Sequence, residues 1–212
     1  MHGLVNQGVH DLAIQLGGEQ LWREIRTAAG FDQETFIGME SYDDDITRRL
    51  VEGAGLVLGI STSEVLQAFG RHWILYTARR GYGPIFDTMG RSLTEFLGNL
   101  DAMHARLSLS MPDLRPPSFV CEQLGEGLIR LEYRSDRPGL APMVIGLLNG
   151  LGELFELELT ITQTVDRIDG ADHDEFLIDH APAGLVTAST SVAASTQSAT
   201  QSATQRAEAP GA

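Results

Sequence analysis

The sequence predicts an α+β fold, with helices first and an antiparallel sheet carrying a packed helix after them. Three observations lead to this. Apolar residues recur at helical spacing through the first half of the chain, as far as Ser110. After Pro117 the period changes to the alternation of strands. Between alternating segments lies Ala141–Phe155, an apolar, glycine-rich stretch long enough for a helix and too long for an ordinary strand.

The elements follow in order. Val5, Val9, Leu12, Ala13 and Leu16 mark one face of a first helix, which Gly17-Gly18 should stop. A second short helix over residues 19–29 stops at Gly30. A turn at Ser41–Asp44 leads to a third helix, Ile46–Leu58. A fourth spans Ser63–Tyr76, with Ser63 as its N-cap and Val65, Leu66, Phe69, Trp73 and Tyr76 along one side. Ser92 and Glu95 have capping-box spacing and open a helix running to Ser110. Its apolar face carries Leu93, Phe96, Leu97, Leu100, Met103, His104 and Leu107. Strands are expected at Ser118–Cys121 and Gly127–Tyr133, joined by a hairpin at Gly125–Gly127, and then at Glu156–Val165 and Glu175–Asp179.

The chain of 212 residues suits one domain plus a tail. The domain is expected over residues 1–181. Residues 182–212 are dominated by Ala, Ser, Thr and Gln, with too few large apolar side chains to offset chain entropy, so a disordered tail is expected there. A net charge of -14 argues against nucleic acid, which needs a basic footprint. The single cysteine, Cys121, excludes an internal disulfide and fits a reducing compartment. No basic-flanked signal and no apolar run near ~18 residues is present, so a soluble, cytoplasmic protein without membrane association is expected.

Two features carry chemistry. His104 lies in the middle of an apolar helix face, where an imidazole is costly unless its nitrogens find partners. A buried histidine bonded to a carbonyl satisfies that need, and so does an axial ligand to haem iron. About 30 residues later come Tyr133, Ser135 and Arg137, which share one side if the segment is extended. Two hydroxyls and a guanidinium suit carboxylates, although a polar strand end facing water would read the same way. Other signals are weak. Gly53–Gly59 is one residue too long for a dinucleotide fingerprint, and Asp172–Asp174 with His180 reads as a solvated acidic turn. No catalytic triad or paired-carboxylate site is evident, so no enzymatic activity is expected.

The two features in this order, together with MHGLVNQ at 1–7, YDDD at 42–45, FLGNLDAMHARL at 96–107, LRPPSF at 114–119, YRSDR at 133–137 and GLAPMVIGLLNGLG at 139–152, resemble the haem nitric oxide/oxygen-binding (H-NOX) domain. This domain is also found in the beta subunit of soluble guanylate cyclase. The resemblance runs from Met1 to about His180. It implies haem b (Fe protoporphyrin IX) held between an N-terminal helical lobe and a C-terminal lobe of helices and sheet. His104 would be the only protein ligand to iron, with Tyr133, Ser135 and Arg137 on the propionates. Pro117 would press on the porphyrin, although a proline pair also serves simply to keep the chain extended before a strand.

In the family, members that hold oxygen carry a tyrosine donor on the helix after the motif. Met143 stands at that place here, which implies a preference for NO and CO over stable oxygen binding. Trp73, Val5 and Val9 would share the gas pocket, with plain core packing as the alternative for the valines. Tyr76, one helical turn beyond Trp73, is a further candidate donor. The resemblance implies a sensor in which NO weakens the iron–His104 bond, the lobes move, and a separate partner responds. That partner would be a histidine kinase or a nucleotide-signalling enzyme. An oxygen-binding haem protein and a haem-linked redox sensor using Cys121 are the competing readings.

Overall fold

The computed structural model describes residues 1–32, 34–111 and 113–184. From residue 185 onward, the segment expected to be a tail lies outside the described residues.

The first helix does not end at its glycine pair. α1 runs over Gly3–Ala29, and Gly18, at φ 66° and ψ -164°, turns the expected stop into a kink. α2 (Asp44–Leu58) starts at Asp43, whose carboxylate accepts the Asp45 N–H at 2.9 Å. α3 (Thr62–His72) is capped by Ser61, not Ser63. Ser61 Oγ accepts the Glu64 N–H at 3.2 Å, and Glu64 Oε2 accepts the Ser61 N–H at 2.9 Å. The full S-x-x-E box therefore starts two residues earlier than expected.

Nor does the fourth helix stop at Tyr76. It passes through a π-helical turn, Trp73–Thr77, into α4 (Ala78–Phe86). The wider turn shifts the helical register. Trp73 stays half-buried, but Tyr76 is 47 % exposed and stacks on His72 with ring centroids 4.9 Å apart. The helices α1–α3 enclose one core, built around Trp22, Ile25, Leu50 and Phe69.

The helix expected from Ser92 to Ser110 is two helices, α5 (Leu93–Gly98) and α6 (Leu100–Ser110). Asn99 interrupts them and donates through Nδ2 to the Met89 carbonyl at 2.9 Å. The break separates two environments. α5 buries Leu93, Phe96 and Leu97, whereas α6 has no fully buried residue. The apolar face of α6 opens onto a cavity, with Leu100 and Met103 also packing against the second core.

The sheet has four antiparallel strands in the order β1-β2-β4-β3. They span Ser118–Gly125, Leu128–Arg134, Leu157–Val165 and Asp174–Pro182, and α7 (Ala141–Leu154) precedes β3. Gly127 makes the expected β1–β2 hairpin at φ 73°. Ile129, Leu131 and Tyr133 of β2 join Phe176 and Ile178 of β4, Val144 and Leu148 of α7, and the α5 residues in a second core.

The two cores meet where α3 crosses α7. The helices touch through backbone at Gly70 and Gly146. A Cβ at Gly146 would lie 2.1 Å from the Gln67 carbonyl oxygen, and one at Gly70 would lie 2.2 Å from that of Met143. Arg71 and Glu153 pair across the exposed rim, with Nη2 to Oε2 at 2.7 Å. Among the described residues, no helix is long and apolar enough to cross a membrane.

Candidate functional site

Between the lobes lies a cavity of about 270 Å³ with mostly apolar walls. Val5 and Trp73 border it from the helical lobe, Met143 from α7, and His104 from α6. Pro117, Tyr133, Ser135 and Arg137 border it too. Eight of the residues singled out from sequence are therefore brought together; Val9, Tyr76 and Cys121 are not among them. Val9 is 5 % exposed and packs in the helical-lobe core, where its face of α1 meets α2 and α3. Tyr76 does not border the cavity, because the π turn directs it outward.

His104 is fixed by its surroundings. Its Nδ1 lies 3.1 Å from the Pro117 carbonyl oxygen, which can only accept. Nδ1 must therefore carry the proton, and Nε2 keeps its lone pair. Burial lowers the imidazole pKa, favouring the neutral ring, against the opposing field of Asp101 and the Pro117 carbonyl. A neutral ring with a bonded Nδ1–H and a free Nε2 is the usual form of a metal-ligating histidine. Asp101, one turn earlier on α6, accepts from Ser118 Oγ and the Phe119 N–H, each at 2.8 Å. It ties α6 to the start of β1, beside the same Pro117 loop.

The row at 133–137 is not an extended strand. β2 ends at Arg134, and the chain then turns so that Ser135 Oγ accepts the Arg137 N–H at 3.1 Å. The turn still leaves Tyr133, Ser135 and Arg137 on the cavity, while Arg134 pairs with Glu132 and Asp172. Tyr133 is 4 % exposed, and burial raises its phenol pKa. Arg137 donates through Nε to Asp44 at 2.7 Å and through Nη1 to the Arg115 carbonyl at 3.0 Å. Asp44 also takes the Met1 ammonium. Burial opposes its ionisation, but the ammonium and Arg137 together hold its carboxyl below the usual value.

Asp44, Asp101 and Arg115 were not singled out from the sequence. Asp44 lies within the YDDD stretch, but its partner is 93 residues away, and nothing local signals the pairing. Cys121 does not border the cavity; it is partly buried, and burial raises its thiol pKa, away from the reactive thiolate. Glu132, His173 and Glu175 bring potential ligand atoms within 4.8 Å of one another. Arg134 already bonds Glu132, and Thr164 bonds Glu175, on the strand side opposite Tyr133.

The donor set fits a flat, largely apolar metallocofactor with acidic groups at one edge. A histidine nitrogen is free for the metal, the walls are apolar, and hydroxyls and a guanidinium stand together. His2 also borders the cavity, and both its ring nitrogens are buried without a protein partner. A two-lobed α+β fold built around such a cavity defines a cofactor-holding protein. Comparison with known proteins makes this specific. The profile of the haem-NO-binding family matches residues 2–163, and the chain belongs to that family.

Soluble guanylate cyclase gcy-32 of Caenorhabditis elegans is 30% identical over 165 residues, which is 76% of this chain and 24% of that protein. The human guanylate cyclase soluble subunit beta-2 is 36% identical over 104 residues, covering 46% of this chain and 17% of the relative. The chain thus spans about a quarter or less of the length of these relatives. Among solved structures, an H-NOX protein from S. oneidensis in the Fe(II)NO state superposes with a TM-score of 0.75 at 21% identity, covering 85% of this chain and 99% of that one. An oxygen-binding H-NOX domain in its oxygen complex gives a TM-score of 0.69 at 22% identity, covering 85% and 94%. The chain is a haem-binding H-NOX domain of the gas-sensor class, related to soluble guanylate cyclases.

Proposed function

We propose that this chain holds haem b through His104 and senses NO, with CO as a second ligand, without retaining oxygen. The observation that carries the reading is the Nδ1 contact of His104 with the Pro117 carbonyl, which leaves Nε2 as the free ring nitrogen at an apolar cavity. Bound haem would supply the iron that takes up a diatomic gas. The chain's own residues do the rest. Tyr133, Ser135 and Arg137 hold acidic groups at the cavity edge. Pro117 borders the cavity that would hold the cofactor and, through its carbonyl, orients the histidine.

His104 is the link to the rest of the molecule. A change in its position is felt by α6, by the Pro117 loop, and by β1 through Asp101. Arg137 and Asp44 bridge the two lobes, so the cavity edge is coupled to α2 as well. The gas shifts the balance between two lobe arrangements because it favours one of them. The role is sensing, not catalysis, and the response belongs to a separate partner. The kinship with guanylate cyclases supports a nucleotide-signalling enzyme, with a histidine kinase as the other candidate.

Met143 sets the gas preference. A thioether donates no hydrogen bond, whereas bound oxygen needs a donor to persist. Met143→Tyr is expected to lengthen the lifetime of an oxygen complex by roughly tenfold, the worth of one hydrogen bond. Stopped-flow mixing of the reduced protein with air reads this directly. A stable oxygen complex in the wild-type chain would overturn the proposed preference.

A further inference from the structure

The outer face of the sheet carries a group of side chains that the cavity does not use. β2 and β4 place Glu132 directly opposite Glu175. Like charges in that position repel each other. His173 immediately precedes β4 and reaches the same face: one potential ligand atom from each of the three residues lies within 4.8 Å of the others. All three side chains are well covered, with 23 % of Glu132, 20 % of Glu175 and 19 % of His173 exposed. The Asp172–Asp174 segment, which reads from sequence as a solvated acidic turn, is therefore divided. Asp172 is exposed, whereas His173 turns onto the sheet.

The imidazole separates this group from an ordinary acidic patch. Its Nδ1 lies 2.6 Å from Asp172 Oδ1. The bonds of Asp172 to His173 and Arg134 hold its carboxyl down at about 2, so it is ionised and can only accept. Nδ1 therefore carries the proton, and Nε2 keeps its lone pair. Nε2 makes no hydrogen bond among the described residues. A carboxylate behind the far ring nitrogen is the usual support of a metal-bound histidine. The two glutamates are only lightly held. Arg134 takes Glu132 Oε2 at 3.0 Å, and Thr164 takes Glu175 Oε1 at 2.6 Å. Arg130 stands 3.8 Å from Glu175 Oε2 and pairs more closely with Glu122. Both arginines are exposed at their side chains, where an ion pair is worth little, so a divalent ion can displace them.

We propose that Glu132, His173 and Glu175 form a zinc-binding site on the outer face of the sheet, separate from the cofactor cavity. One imidazole nitrogen and two carboxylate oxygens suit zinc, with water completing the coordination. Zinc bonds of about 2.0–2.1 Å set tetrahedral ligand atoms ~3.3 Å apart, so small rotations of two flexible glutamates close the site. The ion offsets the repulsion between Glu132 and Glu175 and ties β2 to β4. Tyr133 and Asp174 are the next pair in the same register. Bound zinc thus stiffens the strand pair that presents Tyr133 to the cavity. The proposal does not rest on the haem reading.

The test is calorimetric titration of the full chain with zinc chloride, after dialysis against a chelator. Wild type is expected to take up one zinc ion saturably, and its thermal unfolding midpoint should rise as zinc is added. His173→Gln and Glu175→Gln each remove a ligand. Each should weaken zinc binding by at least ~100-fold, the upper end of the loss for groups that only orient a ligand, and abolish the zinc-dependent rise. Neither residue belongs to a core, so both variants should fold, which circular dichroism checks. His10→Gln, which alters another histidine–aspartate pair, should bind zinc as wild type does. No saturable uptake by wild type would overturn the proposal. So would wild-type affinity in either His173→Gln or Glu175→Gln, or an equal loss in His10→Gln.

Discussion

His104→Gly is expected to leave a folded protein that loses haem at least ~100-fold faster than wild type, because removal even of groups that merely orient a metal ligand costs 10–100-fold. The fold should survive, since α6 has no fully buried residue and the residues it packs against a core are Leu100 and Met103, not His104. The glycine itself costs about 1 kcal/mol of helix stability. The deleted ring leaves space in the cavity wall, so added imidazole should restore haem binding and the spectrum. Circular dichroism checks the fold, and absorption follows the haem. Tight haem binding by His104→Gly without imidazole would move the ligand elsewhere. His2, on the same cavity with both nitrogens unpartnered, would then be the residue to test.

The second large effect concerns the joint between the lobes. Gly146→Ala is expected to destabilise the protein by about 3 kcal/mol, the upper range for overpacking a close contact. The midpoint of thermal unfolding should fall by about 10 °C for a domain of this size. The reason is that the added methyl meets backbone: the Gln67 carbonyl oxygen stands 2.1 Å from its position, and no rotamer change relieves that. α3 and α7 must separate, carrying Trp73 and Met143 on the gas side with them. Gly98→Ala is the contrast. A Cβ at Gly98 meets nothing within 4 Å, so the substitution should be neutral or raise stability by up to ~1 kcal/mol. Similar melting losses in both variants would contradict the backbone-contact account.

Much of the fold was legible because its signals are local. The change of period after Pro117, the Gly125–Gly127 hairpin and the α7 apolar run each lie within a short window. The failures are places where a local rule met a longer-range cause. Gly17-Gly18 reads as a stop, yet α1 continues past a kink because residues on both sides, such as Val9 and Trp22, bury into one core. The face from Leu93 to Leu107 reads as one helix. Asn99 breaks it where its side chain reaches Met89, a partner that periodicity does not show. The α3 cap is a local signal too: Ser61 and Glu64 have capping-box spacing, and the helix starts from Ser61 and not from Ser63. Tyr76 turned away because a π turn has no signature in spacing.

The site was legible in residue types and not in its connections. His104 and the Tyr133, Ser135, Arg137 set stand out as polar groups in unusual settings. Their supports are backbone carbonyls at Pro117 and Arg115 and a carboxylate at Asp44, and these arise only when distant segments fold together. Val9 shows the reverse error. It shares a helical stripe with Val5, but only Val5 reaches the cavity; Val9 is covered by the helical lobe.

The most direct measurement is the absorption spectrum of the reduced, haem-reconstituted chain before and after NO, CO and air. The account predicts a five-coordinate ferrous haem that binds NO and CO, and that oxidises or stays unliganded in air. A six-coordinate resting haem, a stable oxygen complex, or no haem uptake at all would contradict it.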